Sequence, residues 1–449
     1  MALIVQKYGG TSVATPEKVA EAARQILAAR ADGHEVVAVV SAMGATTDGL
    51  LELASSVSDR PDPAQLDTLL STGETASAAL LSMALNHQGA ASRSFSGAAA
   101  GIRTDARHGR ATIQQVDPRR LREDLGRGVI PVVAGFQGEA GVSGPCTTLG
   151  RGGSDTTGVA LAAALGADHC EIVTDVAGVY TADPRKVVGA RHHTTLLYEE
   201  MAELALSGAK VLAADSVDYA RTHGVDLKVR SNRTACGPET WVGNRRRAAA
   251  VAVSGSSWTP AGPDEVPAIA GVATKTGLVR CVLRRIPADH AVRILRGLAE
   301  REIEVELRRY GNLGTEDASD VAITLPAESV EEARALLGEA DGAARLGEVH
   351  WTSNLARLSV VGLGMGQLPG SPLRLLEALR SVGAARTDLL VTSNKLSVLT
   401  GESGLAEATQ RVHDTFVYEP EVPRMHTAAL WATEHRQLSA GLPALVAAD

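Results

Sequence analysis

From residue 2 to about residue 245, short apolar runs alternate with longer stretches in which apolar side chains recur every three or four positions. The runs at 2–5, 35–40, 129–134, 170–175 and 226–230 read as strands, since they are too short for helices and several are almost wholly aliphatic. Residues 17–29 carry the helical period, with Thr15 as N-cap, Pro16 in the first helical position and Glu17 in the first turn, all favourable at a helix start. Lys18 stands where a capping box would place Glu or Gln, so that stronger signal is missing. Alternation of this kind predicts a mostly parallel sheet with helices on both faces, a three-layer α/β/α domain. Ligands of such sheets bind beyond the carboxyl ends of the strands.

The pattern changes after 254–267, which is rich in Ser, Gly and Pro and reads as a linker. Two small units follow. The first has a strand at 278–283, a helix at 290–301, strands at 304–309 and 320–325, and a helix at 329–338. The second has a strand at 357–362, a helix at 371–382, strands near 388–392 and at 395–400, and a helix at 404–416. A repeated β-α-β-β-α order predicts two ferredoxin-like units in tandem.

With 449 residues, the chain is too long for one ordinary core, so two or three domains are expected. Its aromatic content of 3% suits aliphatic α/β layers better than a β-sandwich. A net charge of −8 argues against a nucleic-acid or anionic-membrane partner. The one basic run, Arg245-Arg246-Arg247, reads as a solvated linker. Cys146, Cys170, Cys236 and Cys281 show no CxxC spacing, which argues against zinc and a disulfide framework and for reduced thiols in the cytoplasm. Residues 2–5 have no charged region or cleavage site around them, and no uninterrupted apolar stretch reaches membrane-spanning length. A cytoplasmic protein is expected.

The polar and glycine-rich motifs fall just after strands. Thr147-Thr148-Leu149-Gly150-Arg151-Gly152-Gly153-Ser154-Asp155-Thr156-Thr157 precedes a helix-like apolar run. Such a turn lets backbone N–H groups face an anion at a helix N-terminus, and its arginine can clamp a carboxylate or phosphate. Lys7-Tyr8-Gly9-Gly10-Thr11-Ser12 follows the first strand and offers a point charge beside close-approaching backbone, without matching a P-loop. Ser41-Ala42-Met43-Gly44-Ala45-Thr46-Thr47-Asp48 follows the second strand. Ser71-Thr72-Gly73-Glu74 reads as opening another helix, where Glu74 is either a dipole-favoured cap or a carboxylate for a substrate ammonium. The segment from Thr174 and Asp175 through Tyr180, Asp183 and Arg185 offers an aromatic face, an arginine and carboxylates, which suits a nucleotide. Gly208-Ala209-Lys210 adds a lysine at a helix end. Each motif alone has a bland reading as a turn, cap or solvated face. Together they supply what phosphoryl transfer needs: cations, backbone donors and a positioning carboxylate.

The ordered set KYGGTS (7–12), VVSAMGATTD (39–48), STGE (71–74), GFQG (135–138), TTLGRGGSDTT (147–157), TDVAGVYTADPR (174–185), YEEMAEL (198–204), SGAKVL (207–212) and LKVRS (227–231) resembles the aspartate kinase family of the amino-acid kinase superfamily. The resemblance covers essentially the whole chain. It implies an amino-acid kinase domain at 1–250, a linker at 251–267, a first ACT regulatory unit at 268–345, and a second with a C-terminal tail at 346–449. It implies transfer of the ATP γ-phosphoryl group to the β-carboxylate of L-aspartate, with Mg²⁺ arriving on ATP rather than in a protein-built metal site, and a homodimer paired through the ACT units. In this reading Lys7 stabilises the transferring phosphoryl, Asp155 positions the lysines, and Gly9, Gly10 and Ser154 donate to phosphate oxygens. Arg151 pairs with the α-carboxylate of aspartate and Glu74 with its ammonium, while Ser41 and Thr47 orient the reacting side chain. Thr174, Asp175, Tyr180, Asp183 and Arg185 hold the nucleotide, with Lys210 near its phosphates. The rival readings are a kinase of the same fold acting on a related amino acid, and a non-catalytic ACT-type sensor.

The chain departs from the family pattern in places. Tyr8 replaces the usual Phe, and Lys210-Val211-Leu212 continues as Ala213-Ala214-Asp215. The first ACT unit has Arg285-Ile286-Pro287-Ala288-Asp289-His290 and lacks the usual Pro-Gly turn, which the second keeps as Pro369-Gly370. Arg309-Tyr310 stands where an effector-binding Gln-Asn is usual, and Val391-Thr392-Ser393-Asn394 is a shortened form of the second effector segment. A missing amide partner in a buried site costs about 1–3 kcal/mol. Weak or absent lysine and threonine feedback is therefore expected, as in a copy serving a specialised pathway.

Overall fold

The computed structural model describes residues 1–233, 237–244, 269–310, 318–341, 348–384 and 386–418. Cys236, the run Arg245-Arg246-Arg247, the linker at 251–267 and the tail after 418 lie outside the described residues, as do the side chains of Arg309 and Tyr310.

The first half is built on an eight-stranded sheet. Its strands are β1 (Leu3–Tyr8), β2 (Glu35–Val40), β3 (Ser92–Phe95), β4 (Ile130–Ala134), β5 (His169–Thr174), β6 (Thr195–Leu197), β7 (Leu227–Ser231) and β8 (Glu239–Gly243). The spatial order is β6-β8-β7-β5-β1-β2-β4-β3. Every pairing is parallel except β7 with β8. Helices α1 (Pro16–Ala31), α2 (Thr46–Val57), α3 (Pro63–His87), α4 (Arg119–Gly126), α5 (Gly153–Leu165), α6 (Tyr198–Leu206) and α7 (Ala214–His223) complete the layers. The predicted α/β/α arrangement holds, because β1 and β2 bury nearly every side chain and need cover on both faces. One core gathers Val5, Val37, Leu161 and Ile172. The opposite one gathers Tyr8, Ile26, Val36 and Leu81. Thr15 caps α1 by accepting from the Lys18 N–H at 3.4 Å, with Pro16 at the helix start.

One local expectation is overturned. Ser71-Thr72-Gly73-Glu74 does not open a helix; it sits in the middle of α3, which begins at Pro63 with Asp62 accepting from the Gln65 N–H at 3.0 Å. The hydroxyls that resembled caps instead bond back into the helix, Ser71 to the Thr68 carbonyl at 2.8 Å and Thr72 to that of Leu69 at 2.6 Å.

The second half is one six-stranded antiparallel sheet. Its strands are β9 (Gly271–Pro287), β10 (Glu306–Tyr310), β11 (Ala318–Pro326), β12 (Val349–Val361), β13 (Arg386–Thr392) and β14 (Lys395–Gly401), in the order β10-β11-β9-β12-β14-β13. Helices α8 (Ala288–Glu300), α9 (Val330–Asp341), α10 (Ser371–Ser381) and α11 (Leu405–His413) accompany it. Strand β9 is longer than the sequence pattern suggests and serves both repeats. Gly271 to Lys275 pair with Val361 to Arg357, next to β14, whereas Leu278 to Leu283 pair with β11 as well as with the start of β12. The two repeats thus share a continuous sheet but keep separate cores, around Ile294 and Ile323 in one and Leu358 and Leu375 in the other.

The second half docks on the hairpin Val179–Tyr180/His192–His193 of the first. His413 Nε2 lies 2.9 Å from Thr181 Oγ1, Gln410 exchanges two hydrogen bonds with Val188, and the Tyr418 hydroxyl donates to the Gly189 carbonyl. Among the described residues, no helix is long and apolar enough to cross a membrane.

Candidate functional site

The predicted residues gather where β1, β2 and β5 end and α5 begins. Lys7 is the penultimate residue of β1, largely buried, with its ammonium 2.5 Å from Asp155 Oδ1 in the first turn of α5. Gly152, with φ of 76°, adopts the left-handed conformation that turns the chain into α5, and a Cβ there would collide with Ala213. The Lys210–Ala213 segment therefore runs against the glycine turn. Beside Asp155, Ser154 shares a 2.7 Å hydrogen bond with Ser41 at the end of β2. Gly9 donates to the Val173 carbonyl at 3.1 Å, which sets the first glycine turn beside Thr174. A Cβ on Gly10 would lie 2.7 Å from the Ala42 carbonyl oxygen, so the two turns after β1 and β2 touch through backbone.

Glu74 reaches this cluster from α3. Gly73 lets the helix press on the second turn, since a Cβ there would stand 2.9 Å from the Ala42 Cβ. The Glu74 carboxylate then accepts the Ala42 N–H at 3.0 Å through Oε1. Its Oε2 is buried and has no hydrogen-bond partner among the described residues. Burial pushes its pKa up to about 7, against the pull of the Ala42 N–H and the Lys7 charge. A buried carboxylate oxygen with nothing to accept is suited to a ligand donor, and an ammonium is the donor that would restore the ionised state.

Thus Lys7, Gly9, Gly10, Ser41, Glu74, Ser154 and Asp155 form one connected set. Thr47 lies half-buried in the first turn of α2, and Arg151 is exposed on the turn just before α5. The nucleotide candidates extend outward from the end of β5. Thr174 donates to Asp175 at 3.2 Å, Tyr180 meets His192 edge-on at 5.2 Å, and Arg185 pairs with Asp183 at 3.0 Å. The arginine holds the Asp183 carboxyl below its usual range. Lys210 is exposed between α6 and α7. Among the described residues, no group of three or more His, Cys, Asp or Glu is placed to hold a metal ion.

Sequence reasoning missed the supports behind these groups. Thr157 accepts from the Phe136 N–H at 3.0 Å and donates to the Gly153 carbonyl, bracing the glycine turn. Asp67, seven residues before Glu74 on α3, holds the strand Cys146–Thr148 that leads into that turn. Its only sequence signal is the spacing of two helical turns from Glu74, which means nothing until both are known to lie inside one helix.

A model of the amino acid kinase family matches residues 2–231. Across most of the chain, an aspartokinase of Corynebacterium efficiens is 40% identical over 420 residues, covering 93% of this chain and 96% of that protein. Aspartokinase 2 of Bacillus subtilis is 38% identical, covering 93% and 98% respectively. In three dimensions the fold matches E. coli aspartokinase III, solved with aspartate and ADP, with a TM-score of 0.73, 23% identity, and coverage of 92% of this chain and 100% of that one. The chain belongs to the aspartokinases of the amino acid kinase family.

Proposed function

We propose that the protein transfers the γ-phosphoryl group of ATP to the β-carboxylate of L-aspartate, giving 4-phospho-L-aspartate and ADP. The observation that carries this reading is the linked set Glu74–Ala42, Ser41–Ser154 and Asp155–Lys7 at the strand ends. Glu74 receives the substrate ammonium on its unpartnered oxygen, and Arg151 receives the α-carboxylate. Ser41 and Thr47 orient the side-chain carboxylate. One of its oxygens attacks the γ-phosphorus as the bond to ADP breaks, so no covalent enzyme intermediate is required. Lys7, held by Asp155, faces the charge that builds on the phosphoryl oxygens, with Gly9, Gly10 and Ser154 as further donors. Thr174, Asp175, Tyr180, Asp183 and Arg185 hold the nucleotide, with Lys210 near its phosphates. Mg²⁺ fits as an ion carried by the ATP phosphates, keeping several waters and neutralising phosphate charge.

The test is turnover with ATP, Mg²⁺ and L-aspartate, trapping the acyl phosphate with hydroxylamine. Aspartyl hydroxamate is the expected product. A folded, ATP-binding protein that forms none would refute the acceptor.

The regulatory reading goes with it: the two repeats are ACT units with weakened lysine and threonine control. The segment Thr392-Ser393-Asn394 supports this, being already engaged by its own fold. The Gly362 N–H donates to the Asn394 carbonyl at 3.0 Å, the Gly364 N–H to its side chain at 3.3 Å, and the Gly366 N–H to the Ser393 carbonyl at 3.2 Å. A homodimer through these units is supported by the outer strands β10 and β13, which leave Leu307, Leu389 and Val391 exposed. Light scattering at twice the chain mass is the expected result. The free thiols of Cys146, Cys170 and Cys281 accord with a cytoplasmic setting.

A further inference from the structure

Asp67 is a charged residue buried to 1% exposure on the same face of α3 as Glu74, two turns and roughly 10 Å away along the axis. Its carboxylate is engaged by a distant part of the chain. Thr148 donates its hydroxyl to Oδ1 at 2.5 Å, the Gly109 N–H reaches both oxygens at 3.0 and 3.1 Å, and His108 Nδ1 lies 2.7 Å from Oδ2. These partners belong to two segments that meet at the glycine turn. Thr148 ends the strand Cys146–Thr148, and Leu149, Gly150 and Arg151 follow it directly. The loop carrying His108 and Gly109 lies against that turn: the Ala111 N–H donates to the Thr148 carbonyl at 2.8 Å, and a Cβ on Gly150 would stand 3.1 Å from the Gly109 oxygen.

The ammonium and α-carboxylate of an α-amino acid sit on a single carbon. The groups that bind them must therefore converge to within hydrogen-bond reach of one point. Glu74 comes from α3, whereas Arg151 comes from a turn 77 positions further along the chain. Asp67 ties the strand that leads into that turn directly to α3, beside the Gln137 amide that donates to the Ser71 carbonyl at 2.9 Å.

We propose that Asp67 is a positioning residue for L-aspartate, anchoring the Thr148–Arg151 turn to α3 so that the Arg151 guanidinium and the Glu74 carboxylate address one substrate carbon. The proposal rests on the reading of Arg151 and Glu74 above. It differs from a purely structural role in a specific way: loosening this anchor moves the aspartate end of the site and leaves Lys7, the phosphate turn of β1 and the nucleotide hairpin where they are.

The experiment is steady-state kinetics on the full-length protein carrying Asp67→Asn, Thr148→Val, Arg151→Lys, and the double variant Asp67→Asn with Arg151→Lys. Thr148→Val removes one donor isosterically and stands in if Asp67→Asn fails to fold. Asp67→Asn and Thr148→Val are each expected to raise KM for aspartate by about tenfold or more, as a guanidinium displaced by a fraction of an ångström would. The value of kcat should stay within about threefold and KM for ATP within about twofold, since transition-state and nucleotide contacts are untouched. On the Arg151→Lys background, Asp67→Asn should add less than about threefold, because both changes act through one contact. If Arg151→Lys raises KM for aspartate but neither Asp67→Asn nor Thr148→Val does, the inference falls and the site reading stands. A full multiplicative effect in the double variant, or a joint loss of kcat and of both affinities, also overturns it. Should Arg151→Lys leave KM for aspartate unchanged, the reading of Arg151 fails and takes the inference with it.

Discussion

Replacing Glu74 with glutamine separates the cost of burying this carboxylate from its use. In the substrate-free protein its pKa rises from 4.5 to about 7 because burial opposes the charge more than the Ala42 N–H and Lys7 support it. A displacement of that size corresponds to about 3 kcal/mol of destabilisation once the group is ionised in both states. The sign follows from the raised folded value. Below the unfolded pKa the group is protonated in both states and costs nothing. Between 4.5 and about 7 the unfolded chain ionises first, and the native state loses ground as pH rises. Above about 7 the full penalty is present. Glu74→Gln keeps the shape and the Ala42 contact without the charge, so it should raise the denaturation midpoint at pH 8 and lose most of that advantage by about pH 5. The same substitution removes the acceptor for the substrate ammonium. Losing one partner of a buried charge pair costs about 2–5 kcal/mol, a rise in KM for aspartate of about thirtyfold or more. In the parent protein, KM for aspartate should fall as pH rises through about 7 and level off above it, since only ionised Glu74 pairs with the ammonium. Thermal denaturation at the two pH values, paired with aspartate titrations, reads all three effects. A variant that binds aspartate as well as the parent, or one whose stability difference is the same at both pH values, refutes the reasoning.

Lys7→Met should lower kcat by about a hundredfold or more with smaller changes in either KM, as expected for a charge that acts on the developing phosphoryl oxygens; single-turnover formation of hydroxamate measures it. Gly73→Ala should weaken aspartate binding without touching the carboxylate itself, because its Cβ would lie 2.9 Å from the Ala42 Cβ and push α3 off the turn that Glu74 caps; aspartate titration by calorimetry checks this, and unchanged affinity would count against the packing account. Lysine and threonine, alone or together at millimolar concentration, should leave turnover nearly unchanged; strong inhibition at sub-millimolar levels by either one sinks the proposed loss of control.

What could be read from the sequence was chemistry attached to local geometry. Lys7, Ser41 and Thr174 lie at the carboxyl ends of strands, and each strand announces itself by a compact apolar run, so the turn after it is easily found. Gly152 and Asp155 are legible for the same reason, since a left-handed turn followed by an acidic first turn is a local signature of a helix start. Glu74 was legible as a residue but not as a position. Ser71 and Thr72 look like caps in isolation, and their back-bonding to Thr68 and Leu69 depends on a helix that started at Pro63. Short strands such as Thr195–Leu197 and Glu239–Gly243 carry too few apolar residues to stand out. Strand β9 is obscured differently, because Lys275, Arg280 and Arg284 interrupt its apolar run, its register shifts between Lys275 and Arg280, and its two halves pair with different neighbours. Asp67 was invisible because its partners lie 41, 42 and 81 positions away, and no local pattern encodes such a meeting.

The docking of the second half bears on which substrate it can influence. Thr181, held by His413 and by the Val272 N–H at 2.7 Å, directly follows Tyr180 of the hairpin proposed to hold the nucleotide. Gln410 and Tyr418 grip the return of that hairpin at Val188 and Gly189, and Arg191 stacks over the Tyr418 ring at 4.3 Å. Gly208, two residues before Lys210, is pressed against the Thr274 carbonyl of β9, and Lys395 pairs with Glu203 of α6 at 2.5 Å. These contacts all lie beside the residues proposed to hold the nucleotide. Toward the glycine turn proposed to bind aspartate, a described contact is the exposed one between Arg110 and Glu302, at 3.8 Å between charges that solvent screens. Among the described residues, a shift of the six-stranded sheet would therefore reach Thr181 through buried hydrogen bonds and the Lys210 segment through Gly208 packing and the Lys395–Glu203 pair, and would reach the loop beside the glycine turn through the Arg110–Glu302 surface pair. On the proposed assignment of these residues, the described contacts would couple the second half to ATP more strongly than to the amino acid, independent of whether any effector binds there.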